Sequence, residues 1–169
     1  MCERNGSTAV LKPSIAKLGN EYVLGLRAEN CRTGDVLDDE QAQASKKEEV
    51  LNVLSRIATS FRTRIGESLA TIHEHSTPLP EATTPSLDAL KAYSTALKVN
   101  AAGNAEPIPF YKRAIEIDPG FAMAHTLLGL NYSGVGESTL AMEHTRRGYE
   151  LRERATDRER FLIAAMYER

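Results

Sequence analysis

The sequence predicts an α+β chain, in which a three-stranded antiparallel meander and a long helix precede an all-α array of helical hairpins. Three observations predict it. Between Thr8 and Ala44, β-rich runs are separated by Gly19-Asn20 and Thr33-Gly34-Asp35, which tolerate positive φ cheaply and so mark hairpins. From Val50 onward, apolar residues recur at helical spacing. After Ser86, helix-length segments alternate with short turns rich in glycine and proline.

The first strand lies in "TAVLKPSIAKL", where Pro13 removes a ladder donor and places the strand at an edge or a bulge. In the middle run, "EYVLGLRAENC", Tyr22, Leu24, Leu26 and Ala28 share one face, and Val23, Gly25, Arg27 and Glu29 share the other. That pattern predicts one covered face and one mostly wet face. In the third run, Asp38-Asp39-Glu40 reads as a solubility device guarding a sheet edge. Ser45 and Glu48 have the spacing of a capping box. Behind them Val50, Leu54, Ile57, Phe61, Ile65, Leu69 and Ile72 form an apolar stripe roughly seven turns long. Three strands and one helix make a thin core, so residues 1–75 read as a partial α/β domain.

Residues 76–85 lie within "HSTPLPEATTPS", which holds three prolines and no periodicity and reads as a linker. Residues 86–169 form the helical part. Ser86 caps a helix through Val99, and a second helix runs from Pro107 to Ile117. Asp118-Pro119-Gly120 ends the second helix. A third helix covers Ala122–Ser133, "GVGE" turns the chain, and a fourth covers Ser138–Arg154. Thr156 and Glu159 form another capping box, opening a helix that reaches the last residue. A chain that stops inside an element reads as a piece of a larger protein.

Composition excludes several function classes. The 169 residues carry a net charge of -2, spread evenly along the chain. No basic field suits a phosphate backbone, so no nucleic-acid partner is expected. No apolar run approaches the roughly 20 residues of a membrane span, and "MCERNGSTAV" is no secretory signal. The chain taken alone reads as cytoplasmic, or as extracytoplasmic if it belongs to a larger membrane protein. Cys2 and Cys31 lack paired zinc spacing and read as free thiols, with a bridge as the alternative.

No metal or cofactor is expected. His73-x-His75 has no further ligand at suitable spacing, and His125 and His144 read as packing residues that approach across a helix pair. The glycines at 129, 134 and 136 lack the Lys-Ser/Thr of a phosphate loop, and Gly129 falls inside an apolar helical pattern. No nucleophile–base pair appears, so no catalytic residues are assigned and the chain is read as a non-enzyme.

The helical part carries a repeat signature. From His125 the chain reads H-T-L-L-G-L-N-Y, placing Leu128, Gly129 and Tyr132 at three positions of the 34-residue tetratricopeptide (TPR) pattern, with Ala141 at a fourth. Upstream, Tyr111, Ala114 and Pro119 have the spacing of the preceding repeat's second helix, and "YKRAIEIDP" is close to the usual repeat ending. Thr145 stands where an aromatic is usual and Glu153 where proline is usual. About two repeats are expected, with a third begun at Thr156.

Nearly the whole chain resembles a recurring bacterial arrangement. "GSTAVLKPSIAKLGNEYVLGLRAENCRTGDVL", "GESLATI", "ATTPSLDALKAYS" and "IPFYKRAIEIDPGFAMAHTLLGLNYSGVGE" resemble the region downstream of the kinase domain in acidobacterial serine/threonine kinases. There, a TolB amino-terminal-like α/β domain precedes a TPR array. The resemblance implies a non-catalytic scaffold module of a signalling protein that binds a protein or peptide partner. The alternative is a ligand-sensing regulatory domain of a kinase or transcriptional regulator. Met123, Thr126, Leu130 and Ser133 are the candidate partner-binding face, on the first helix of the better repeat, with packing against a neighbouring repeat as the alternative. The repeats also offer a route to oligomers.

Overall fold

A computed structural model describes residues 8–64, 78–102 and 106–168. The chain is α+β and divides into two compact units, Met1–Ser76 and Thr77–Arg169.

In the first unit, β1 (Ala9–Leu18), β2 (Glu21–Asn30) and β3 (Val36–Ala44) form an antiparallel sheet in the order β1-β2-β3. Gly19, at φ +62°, turns the first hairpin. Gly34, at φ +76°, turns the second, beside an Asn30 side chain that accepts from the Arg32 and Thr33 amides. Leu24, Leu26 and Ala28 of β2 are buried and Arg27 is exposed, as the alternation predicts. On the face expected to be wet, however, Gly25 is buried and Val23 and Glu29 are half-buried.

A 3-10 turn (Lys47–Glu49) leads into helix α1 (Val50–Arg64), which packs over β3 and β2. It buries Val50, Leu51, Val53, Ile57 and Phe61. Ile65, Leu69 and Ile72 of the expected stripe lie outside the described residues. The expected capping box at Ser45 and Glu48 is not formed. Because the chain enters through a 3-10 turn, it is Glu49 whose carboxylate accepts from the Ser45 amide, at 3.2 Å.

The acidic run of β3 does more than guard an edge. Alternation sends Asp38 and Glu40 to the helix face, where both accept from the Arg64 guanidinium, at 2.9 and 2.7 Å. The Asp38 bond, opposed by desolvation and aided by the charges of Asp38 and Glu40, raises the Arg64 pKa above its ordinary value. Asp39 turns to the other face and accepts from Arg27. Cys31 is disulfide-bonded, which corrects the free-thiol expectation; Cys2 lies outside the described residues.

Among the described residues of the second unit the elements are helices: α2 (Leu79–Ala82), α3 (Leu87–Ala102), α4 (Ile108–Ile117), α5 (Ala122–Gly134), α6 (Ser138–Glu150) and α7 (Asp157–Tyr167). The three helices α3, α5 and α7 begin thirty-five residues apart each time. Helix α3 pairs with α4 and α5 with α6, while α7 packs against α6 and α5. Ser86 accepts from the Ala89 amide at the start of α3, and Thr156 and Glu159 form the full capping box at α7. Helix α6 is shorter than expected, because the chain tightens into a 3-10 turn at Arg152–Arg154.

Two apolar clusters hold the hairpins. Ala96, Ile108, Tyr111 and Leu128 form one, and Ala89, Ala114, Phe121, Met123 and Ile163 are the centre of the other. Tyr93 borders both, its ring centroid 4.8 Å from that of Phe121 and 6.0 Å from that of Tyr111.

Part of the segment expected to be a linker belongs to this unit. Thr84 is buried and donates to Asp118 Oδ2 at 2.6 Å, while Thr83 donates to Glu159. A threonine run reads as loop, yet its hydroxyls here meet carboxylates that lie far away in sequence.

Candidate functional site in the second helical hairpin

The seam between α5 and α6 is built from one pattern used twice. Ala122, Thr126 and Gly129 on α5 have the same spacing as Ala141, Thr145 and Gly148 on α6. The two sets meet reciprocally. A Cβ at Gly129 would stand 2.8 Å from Thr145 N and 2.9 Å from Ala141 O. A Cβ at Gly148 would stand 3.0 Å from Thr126 N and 3.1 Å from Ala122 O. Gly129 thus admits the partner helix backbone closer than a Cβ allows, and Gly148 admits it to the tight limit of Cβ contacts. Thr126 is buried without cost to its hydroxyl, which donates to the Ala122 carbonyl at 3.1 Å.

Beside this seam lies a pair of imidazoles. His125 Nδ1 and His144 Nδ1 are 3.1 Å apart, and the rings stack at 29° with centroids 5.3 Å apart. Tyr132 stacks over His144 in turn, at 24°. His125 Nε2 lies 3.3 Å from the Pro119 carbonyl oxygen. A carbonyl only accepts, so Nε2 carries the proton of neutral His125 and its Nδ1 is an acceptor. His144 Nδ1–H is then the donor between the rings.

Burial is the main cause of a His125 pKa lowered to about 4, with the His144 charge adding to it. Burial lowers His144 as well.

The turn before α5 is tied to both neighbouring turns. Asp118 Oδ1 accepts from the Gly120 amide, and its Oδ2 accepts from Thr84. Gly120 in turn lies beneath the Arg154 guanidinium. At the far end of α6, Arg152 sits 3.9 Å from the Tyr149 ring centroid, and Tyr149 stacks on Tyr167 of α7 at 4.2 Å.

The expected packing residues come together. Tyr111, Ala114 and Leu128 are fully buried, Ala141 and Gly129 meet in the seam, and Tyr132 covers His144. Pro119 is exposed, and its carbonyl faces His125. The four residues of the candidate partner face separate. Met123 and Thr126 are buried in the unit, whereas Leu130 and Ser133 reach solvent. The doubled Ala-x3-Thr-x2-Gly spacing was available in the sequence as a signal; the Thr84–Asp118 bond and the Arg152–Tyr149–Tyr167 stack had no sequence signature.

Among the described residues, no group of three or more His, Cys, Asp or Glu side chains could hold a metal ion. His73 and His75 lie outside them. In the first unit, an open hollow of about 410 Å³ lies over Gly25, bordered by Ser14, Gln41 and the ion pairs Lys12–Glu29 and Arg27–Asp39. No helix among the described residues is long and apolar enough to cross a membrane. No protein-family model matches the chain, and no curated protein matches it.

Proposed function

We propose that this chain is a non-catalytic protein-interaction module of a bacterial signalling protein, with TPR-like helical hairpins carrying the partner surface. The observation that carries the reading is the thirty-five-residue recurrence of α3, α5 and α7 as leading helices of successive hairpins. A stack of this kind presents side chains of its leading helices at a regular pitch, which suits a peptide or helix partner. Leu130 and Ser133 of α5 are the exposed members of the face assigned to that role.

The ligand-sensing alternative called for a polar pocket between the sheet and α1. The hollow over Gly25 is lined on the opposite face of the sheet, by Arg27, Glu29 and Asp39. It therefore gives that alternative little support. The disulfide at Cys31 favours an extracytoplasmic setting over a cytoplasmic one, since reducing compartments keep such bonds rare.

The test is an affinity capture with the full chain and with Leu130→Arg and Ser133→Arg variants. Partners held by the native chain and lost from both variants support the reading. Partners held equally by all three chains overturn the assigned face.

A further inference from the structure

The imidazole pair at the α5–α6 seam is arranged so that it tolerates one added proton but not two. A first proton on His144 Nε2 leaves the ring-to-ring bond intact, because His144 Nδ1–H still donates to His125 Nδ1. A second proton has only His125 Nδ1 to occupy, since His125 Nε2 already faces Pro119 O with its own. That protonation removes the acceptor and sets two imidazolium rings against each other at 3.1 Å.

The surroundings offer this charge little help. Arg147 of α6 and Asp118 of the α4–α5 turn act on His125, while Lys112 of α4 and Glu143 of α6 act on His144. With both rings charged, four cations stand against two carboxylates. Asp118 is not free to turn toward the ring, because Thr84 and the Gly120 amide hold both its oxygens. Separation is the remaining relief, and the two helices are joined here by backbone contact at Gly129 and Gly148.

We propose that the α5–α6 hairpin is an acid-triggered element, in which protonation of His125 Nδ1 breaks its bond to His144 and parts the two helices at the glycine seam. Opening exposes Thr126, which Gly148 of α6 covers in the closed hairpin.

The direction follows from linkage. A histidine whose closed-state pKa lies below the open-state value of about 6.5 gives stability that is complete above that pH. It is lost as pH falls toward the closed-state value of about 4. The opening equilibrium of the hairpin then rises on the order of tenfold between pH 7 and pH 5.

The test uses the full chain. Imidazole NMR titration and amide hydrogen exchange, corrected for the intrinsic pH dependence of exchange, are followed from pH 7.5 to 4. The expected result is the His125 imidazole titrating below that of His144, with protection in α5 and α6 falling on the order of tenfold by pH 5 while the sheet amides hold. His125→Gln, which cannot titrate, should reduce that fall several-fold. Of the four histidines, His125 and His144 titrating together near pH 6.5 overturn the proposal, as does hairpin protection unchanged down to pH 4.5. An undiminished fall in His125→Gln also overturns it. Should that variant not fold, the contrast between hairpin and sheet amides in the native chain decides alone.

Discussion

Gly129 lies against the backbone of Thr145, so closely that a Cβ would stand 2.8 Å from the Thr145 nitrogen. Contact with backbone, unlike contact with a side-chain tip, has no rotamer through which to relax. Gly129→Ala should therefore destabilise the helical unit by about 1–3 kcal/mol, although helix propensity alone favours alanine by about 1 kcal/mol. Gly148→Ala meets the Thr126 nitrogen at 3.0 Å and should cost less. Gly120→Ala displaces only the Arg154 guanidinium and should cost least. Thermal unfolding of the three variants tests the ranking, and a variant 120 less stable than 129 would refute it.

Tyr111 is fully buried, and among the described residues its hydroxyl has no hydrogen-bond partner. An unmade bond of that kind costs about 1–3 kcal/mol. Tyr111→Phe keeps the ring that fills the space beside Ala96, Ile108 and Leu128, and removes the orphaned oxygen. The expected outcome is an unfolding midpoint equal to or above that of the native chain. A midpoint several degrees lower would show that the hydroxyl is satisfied.

Thr84→Val should act in the opposite direction. The substitution keeps the volume of a side chain that is 1% exposed but removes its bond to the Asp118 carboxylate. Bonds to a charged acceptor contribute about 1.5–3 kcal/mol, and the partial exposure of Asp118 places this one near the lower end. Denaturant unfolding of the variant, with its slope unchanged, measures the loss.

The disulfide at Cys31 leaves no free cysteine among the described residues. Protein purified without reductant should give no reaction with a thiol reagent in the native state. Denaturation with reduction should then release the two thiols that the sequence contains. One or two reactive thiols before reduction would contradict the bond.

The three strands and the starts of α3 and α7 were legible because each rests on a local signal. Gly19 and Gly34 turn at positive φ where hairpin dipeptides predict it, and Thr156 with Glu159 caps α7 as its spacing predicts. What was not legible depends on partners distant in sequence. Nothing near Asp38 or Glu40 announces Arg64, and nothing near Thr84 announces Asp118. Thr126 was misplaced for a related reason. Its helix position suggests an outward face, but Gly148 brings α6 close enough to cover it. Helical phase fixes which residues share a side, and the approach of the next helix decides whether that side is wet.

Among the described residues β1 pairs only with β2, and each of its ten residues is exposed, including Leu11 at 51% and Ile15 at 56%. Those two share the face of Ala28 and Leu24, but α1 lies over β2 and β3 and leaves them uncovered. Peeling β1 away therefore breaks one ladder of hydrogen bonds while surrendering little apolar burial. The first unit has a gradient of cohesion across its width, firm under the helix and weak at its opening strand, so local unfolding begins where the chain enters the sheet.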